Sequence, residues 1–412
     1  MTVEPNLPTR LHTLSNGLKI IHLQTASRVS WCGVAVNAGS RDDPAGQYGL
    51  AHFVEHTIFK GTQHRRAWHI LNRMETVGGE LNAYTTKENT IVYAVFPNGH
   101  EERALELIAD LVCRSVFPEA ELVKEREVVM EEVMSYRDTP SEAVFDDFED
   151  MVFAGSQLGH NILGVESDLD SITSGVCSDY LKRLYVPRNM VLFSVGPERP
   201  ERIFRLAEKH YGAMRREPDD HHVRTQPQLL PVAHRTVDLG LHQAHTVVGV
   251  RLPSMFSDER FSYSLLNNIL GGPGMNSLLN LNLRERRGLV YTVESTVAQY
   301  TDCGLMQIYF GCDHHHLNKA LGIVERTLLS LASQPLSERK LAEYKRQYCG
   351  QLLVAADSAE FLAMNAGKSL LYYGRAPHIE RTIAQIMSIT PDDLVRVAQT
   401  ITYDRCSTLT FT

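Results

Sequence analysis

No C-x-x-C pair occurs among the seven cysteines (Cys32, Cys113, Cys177, Cys303, Cys312, Cys349 and Cys406), and an odd number cannot all pair. At 412 residues the chain is long enough to bury its own core, which excludes a disulfide scaffold and predicts buried thiols in a reducing compartment. No apolar run approaches the roughly 20 residues of a membrane-spanning helix. The N-terminal stretch MTVEPNLPTRLHTLSNG has neither the apolar centre of a signal peptide nor the Arg-rich amphipathy of a transit peptide, so a cytoplasmic protein is expected. Positive charge is also short: 41 Lys and Arg stand against 49 Asp and Glu, and a net charge of -8 disfavours a nucleic-acid surface. The glycine cluster at Gly271, Gly272 and Gly274 is followed by no Lys-Ser or Lys-Thr, which excludes a phosphate-binding loop.

What the chain does have is concentrated in residues 49–60, GLAHFVEHTIFK, where His52, Glu55 and His56 stand in the order H-x-x-E-H. On a helix the imidazoles of His52 and His56, four apart, share one face and converge on one ion, with Glu55 beside them. This is the mirror order of the H-E-x-x-H zinc helix, the order given for the inverzincin peptidases, so zinc is the expected metal. A catalytic zinc of this kind takes a third protein ligand and keeps one position for water. The run EREVVMEEV at residues 125–133 offers it: Glu125 and Glu132 are seven apart, two helical turns on one face, and Val128, Val129 and Val133 supply an apolar side. One of the two carboxylates can ligate and the other can support.

HFVEH followed by ER-x-VV-x-EE resembles the pitrilysin-type (M16) metallopeptidases, the family of insulin-degrading enzyme and of the mitochondrial processing peptidase β subunit. The resemblance implies that Glu132 is the third zinc ligand, beside His52 and His56, and that Glu125 supports the site. It implies Glu55 as the general base, and an edge strand carrying Leu81, Asn82, Ala83 and Tyr84 to which a peptide adds through its main chain. LRERRGLVY, from Leu283, resembles the second-half signature of the family, with Arg284 and Tyr291 as residues that reach substrate.

Along the chain, Ser15, Asn16 and Gly17 predict a hairpin turn, with strands over 18–23 and 31–36. Helical patterns cover 70–77, 101–114 and 119–136, and strands 81–96 and 189–196. Residues 217–232, EPDDHHVRTQPQLLPV, contain three prolines and read as a linker between an N-terminal zinc-binding domain (1–216) and a C-terminal domain without the metal site (233–412). The halves repeat: LVKEREVVMEEV from Leu122 aligns with LAEYKRQYCGQL from Leu341, and Ser171-Ile172-Thr173 with Ser388-Ile389-Thr390. Glu132 thereby aligns with Gln351, and the HFVEH region falls near GGPGMNS, which has no metal donor. His221-His222 and His314-His315-His316 read as solvated clusters.

The expected fold is α+β, two homologous halves, each a mainly antiparallel sheet flanked by helices. The expected function is zinc-dependent hydrolysis of short or unfolded peptides, with one Zn2+ per chain. Because longer members of the family close a chamber from four such halves, a homodimer is expected, or a heterodimer with an inactive homologue. The acidic stretch 101–150, with 16 Asp or Glu against 5 Lys or Arg, suits cationic peptides. The alternative is a non-catalytic structural or regulatory subunit of the same fold, a class whose zinc residues are generally damaged.

Overall fold

The structure is a computed structural model that describes residues 8–214 and 223–412. The first part of the expected linker, with His221 and His222, lies outside the described residues. Two mixed sheets organise the chain, and the fold is the α+β arrangement expected.

The first sheet contains β1 (Thr9–Thr13), β2 (Lys19–Gln24), β3 (Val29–Val36), β4 (Glu80–Thr85), β5 (Thr90–Pro97) and β6 (Met190–Gly196), in the order β1-β2-β6-β3-β5-β4. The second contains β7 (His234–Val237), β8 (Ala244–Leu252), β9 (Thr292–Gln299), β10 (Gly304–Cys312) and β11 (Ser407–Phe411), in the order β7-β11-β8-β10-β9. Every pairing is antiparallel except β2 with β6 and β7 with β11. Removing β1 leaves the two sheets with the same strand order and the same single parallel pair, which is the architectural form of the sequence repeat.

The expected hairpin turn lies between β1 and β2. Gly17 adopts φ +98°, a left-handed conformation that suits glycine, and the Asn16 side chain accepts a hydrogen bond from the Leu18 amide at 3.1 Å. The aligned helices also match. Glu119–Arg137 and Glu338–Ala356 are both 19 residues long, and Thr173 and Thr390 each cap the helix that follows with the side-chain hydroxyl.

Packing divides the chain less simply than sequence. Of the described residues, one compact unit takes those within 1–134, 161–224 and 355–378; the other takes 135–160, 225–354 and 379–412. The helix Ala359–Tyr373, from the C-terminal half, therefore packs in the first unit, and the helix Pro140–Val152, from the N-terminal half, packs in the second. The sequence boundary at 217–232 and the packing boundary differ at these two helices.

Each sheet buries both faces. In the first unit Leu192 points into the core under the zinc-motif helix, whereas Val191, Phe193 and Val195 point to the opposite face, against Ala363, Ala366 and Leu370 of Ala359–Tyr373. Burial on both sides explains why β6, MVLFSVG, is apolar almost throughout. The Phe193 ring fills the space that two glycines leave open: a Cβ on Gly33 would come within 2.2 Å of it, and one on Gly367 within 2.7 Å. Gly33→Ala should therefore destabilise the protein by about 1–3 kcal/mol, the cost of overpacking. Urea denaturation checks this, and an unchanged midpoint would contradict the packing described.

Candidate metal centre

The helix Leu50–Thr57 has only eight residues, too few to persist alone in water. Tertiary contacts hold it. Leu50, Ala51, Phe53 and Val54 are buried in the core of the first unit. At its start Gly49 takes φ +93°, where a Cβ would also stand 2.7 Å from the Leu163 carbonyl oxygen. Gly49 has no side chain to cap the helix, and Asp43 does so from a distance: its carboxylate accepts from the Gly49 amide at 2.8 Å and the Ala51 amide at 2.9 Å. Burial pushes the Asp43 carboxyl well above the usual range, against the pull of these hydrogen bonds.

The cap fixes the helix so that His52 and His56 face the helix Glu119–Arg137. His52 Nε2 lies 3.7 Å, and His56 Nε2 3.5 Å, from Glu132 Oε2. The three donor atoms of His52, His56 and Glu132 lie within 4.8 Å of one another. The two His-to-Glu132 separations are longer than good hydrogen bonds. They are close to the edge of a tetrahedron with metal bonds of about 2.1 Å, about 3.4 Å, so the donor set fits a zinc ion.

Burial and the neighbouring His56 push the His52 imidazole down to about 3, which keeps it in the unprotonated form that metals bind. His56 is oriented by a carboxylate: its Nδ1 meets Glu125 Oε1 at 3.0 Å, and Lys60 Nζ holds Glu125 Oε2 at 2.6 Å. His52, whose buried Nδ1 has no hydrogen-bond partner, is oriented by packing. The apolar face of Glu119–Arg137 is Leu122, Val129 and Val133; Val128, expected on that face, is 48% exposed.

Glu55 stands beside the donors, half-buried, and burial raises its carboxyl above the usual value; hydrogen bonds from Thr85 and the charge of His56 oppose the shift, and Glu132 adds to it. Thr85 ends β4, the edge strand of its sheet. Leu81 and Ala83 pack toward the zinc-motif helix. Tyr84 turns to the opposite face beside Tyr93, with the Lys368 ammonium 5.2 Å from its ring centre. Asn82 is exposed.

Arg284 and Tyr291 lie in the second unit. Arg284 is exposed on a π-helical turn, Asn280–Glu285. Tyr291 is 57% exposed and donates to Asp313 Oδ1 at 3.1 Å. Within that unit the counterpart of the zinc-motif helix, between β8 and β9, is Arg260–Gly271, whose last residue is the first of GGPGMNS. Its Asn268 donates to Gln351, the residue aligned with Glu132, at 2.7 Å. A neutral amide pair thus occupies the place that imidazole and carboxylate occupy in the first unit.

Residues 19–166 match the family model described as insulinase, peptidase family M16, and residues 171–348 match the M16 inactive domain. A protein of Streptomyces coelicolor described as an uncharacterized zinc protease is 30% identical over 405 residues, covering 95% of this chain and 87% of the relative. The chain belongs to peptidase family M16. A second relative, an uncharacterized zinc protease of Bacillus subtilis, is 30% identical over 380 residues, 92% of each chain. Among solved structures, a protease from Helicobacter pylori superposes with a TM-score of 0.90 at 22% identity, covering 99% of this chain and 100% of that one. An M16-like peptidase from Alicyclobacillus acidocaldarius gives 0.89 at 19% identity, covering 100% of this chain and 99% of that one.

Three residues of this M16 chain that matter to the centre were not identified from sequence: Asp43, Lys60 and Thr85. Lys60 ends the stretch that holds H-x-x-E-H but is not part of that pattern, and Asp43 and Thr85 lie in no recognisable motif. The signal for Asp43 was faint, an acid shortly before a helix whose N-terminus has only glycine. Glu125→Gln, which loses the charge linking His56 to Lys60, should weaken zinc binding by about 10- to 100-fold with the fold intact. Competition with a chelator measures this, and unchanged affinity would remove Glu125 from the site. The depressed His52 also has a pH signature. In the metal-free protein its stabilising effect is present above its ordinary value of 6.5 and is lost as pH falls toward about 3. The stability difference between wild type and His52→Gln in chelator should therefore shrink as pH falls below 6.5; a difference flat with pH would contradict the burial described.

Proposed function

We propose that the chain is a zinc-dependent endopeptidase acting on short or unfolded peptides. The observation that carries this reading is the convergence of His52, His56 and Glu132 on one point with Glu55 beside them. His52, His56 and Glu132 would hold one zinc ion, and Glu125 would orient His56. A zinc ion held there would supply Lewis acidity, polarising the scissile carbonyl and lowering the pKa of water from about 15.7 toward about 7.

The chain's own groups perform the remaining steps. The main chain of Leu81, Asn82, Ala83 and Tyr84 pairs with an extended peptide as an added strand, binding it with little regard to side chains. Thr85 ties that strand to Glu55, so the base and the substrate backbone share one support. Glu55 takes a proton from the attacking water and delivers it to the leaving nitrogen. Tyr291 would donate to the developing oxyanion and Arg284 would hold a substrate carbonyl or carboxylate. The seven free cysteines support a reducing, cytoplasmic setting. Among the described residues no helix is long and apolar enough to cross a membrane.

The active form proposed is a dimer that encloses the substrate, which admits flexible peptides and excludes folded proteins. Sedimentation with a parallel digest tests this: a two-chain species that cleaves an unfolded polypeptide and spares its folded form is expected, and efficient cleavage by a monomer would sink it. Glu55→Gln should bind zinc like wild type and lose at least about 100-fold in turnover, the scale of general base catalysis. Near-normal cleavage of a quenched fluorescent peptide by this variant would overturn the assignment of Glu55. A chain that binds no zinc would instead be a non-catalytic subunit.

A further inference from the structure

The second unit contains a donor cluster that the proposed peptidase chemistry does not use. β10 ends at Cys312, and Asp313 opens a tight turn, His314–His316, its main-chain carbonyl accepting from the His316 amide at 2.9 Å and its side chain left free of the cap. The turn is also held at its first residue, where His314 Nε2 meets the Leu241 carbonyl at 2.8 Å. These two anchors leave His315 and His316 side by side, ring centres 3.9 Å apart. The donor atoms of Asp313, His315 and His316 lie within 4.8 Å of one another, the same limit that describes His52, His56 and Glu132. Their expected character as a solvated cluster thus acquires a geometry.

We propose that Asp313, His315 and His316 form a second divalent-cation site, weaker than the first, with Tyr291 as the hydrogen-bonded partner of its carboxylate. Two imidazoles and one carboxylate suit zinc and other late transition ions more than magnesium or calcium. Half-exposure of the cluster leaves the remaining coordination positions to water. The Tyr291 hydroxyl on Asp313 Oδ1 fixes the carboxylate as outer partners of metal ligands do and leaves Oδ2 for the ion. The site gives Tyr291 a second role. An ion on Asp313 holds the phenol there, so excess zinc withdraws Tyr291 from substrate; this consequence rests on the role proposed for Tyr291 above.

Equilibrium dialysis of the full chain against buffered zinc, with metal counted by mass spectrometry, tests the site. Wild type should take up one more zinc than His315→Ala/His316→Ala. Asp313→Asn and Tyr291→Phe should weaken that second zinc by about 10-fold or more. Equal uptake by wild type and the double variant overturns the proposal. So does a second zinc lost in the double variant but untouched by Asp313→Asn and Tyr291→Phe, which is adventitious binding to an imidazole pair only. His315→Ala alone, at an exposed position, repeats the count if the double variant fails to fold. The count is a difference between chains, so it stands whether or not the first site holds zinc, and failure of the peptidase reading is separately visible. Where peptide cleavage is measurable, excess zinc should slow wild type and spare the double variant; superimposable inhibition curves would overturn the link to Tyr291.

Discussion

The carboxylate of Asp43 on the amides of Gly49 and Ala51 is the interaction on which the centre depends. An eight-residue helix has no stability of its own, and four donors at its start need partners. Asp43 satisfies two of them from outside the helix, and glycine at position 49 lets the backbone pass against Leu163 and Gly164. With its start held and Leu50, Phe53 and Val54 buried, the helix has one rotational setting, and the 3.6-residue period then decides where His52, Glu55 and His56 point. The donors are thus set by the packing of apolar neighbours.

The second helix meets the first with a different economy of residues. Glu132, a third exposed, faces the imidazoles, while Glu125, two turns earlier and buried, holds His56 and is held by Lys60. An unpaired carboxylate at the position of Glu125 would be costly; the paired one confers orientation. At the corresponding place in the second unit, Asn268 and Gln351 pair through their amides. The two units share strand order, with ionic donors at this place in the first and neutral amides in the second, and the first gathers the His52, His56 and Glu132 set.

Much of this was legible in the sequence because its signals are local. H-x-x-E-H declares its own geometry once a helix is assumed, and Ser15-Asn16-Gly17 declares a turn. The repeat was visible because aligned helices kept their length and their Thr caps. The rest depends on contacts between distant segments. Nothing near Pro140–Val152 or Ala359–Tyr373 indicates that each packs in the unit of the opposite half, since an apolar helix face does not name its partner. The counterpart of the HFVEH region was expected only near GGPGMNS, and the helix itself, Arg260–Gly271, runs into that segment; no imidazole or carboxylate marks the helix more closely. Asp313, His315 and His316 read as solvated polar residues until the turn set their donors together.

The most direct test of the centre is zinc-edge X-ray absorption on the chain loaded with one equivalent of zinc. Two imidazoles and oxygen neighbours, four nitrogen or oxygen atoms in all at about 2.0–2.1 Å, are predicted, with one imidazole lost in His52→Gln. Sulfur at about 2.3 Å, or a spectrum unchanged in His52→Gln, would contradict the account.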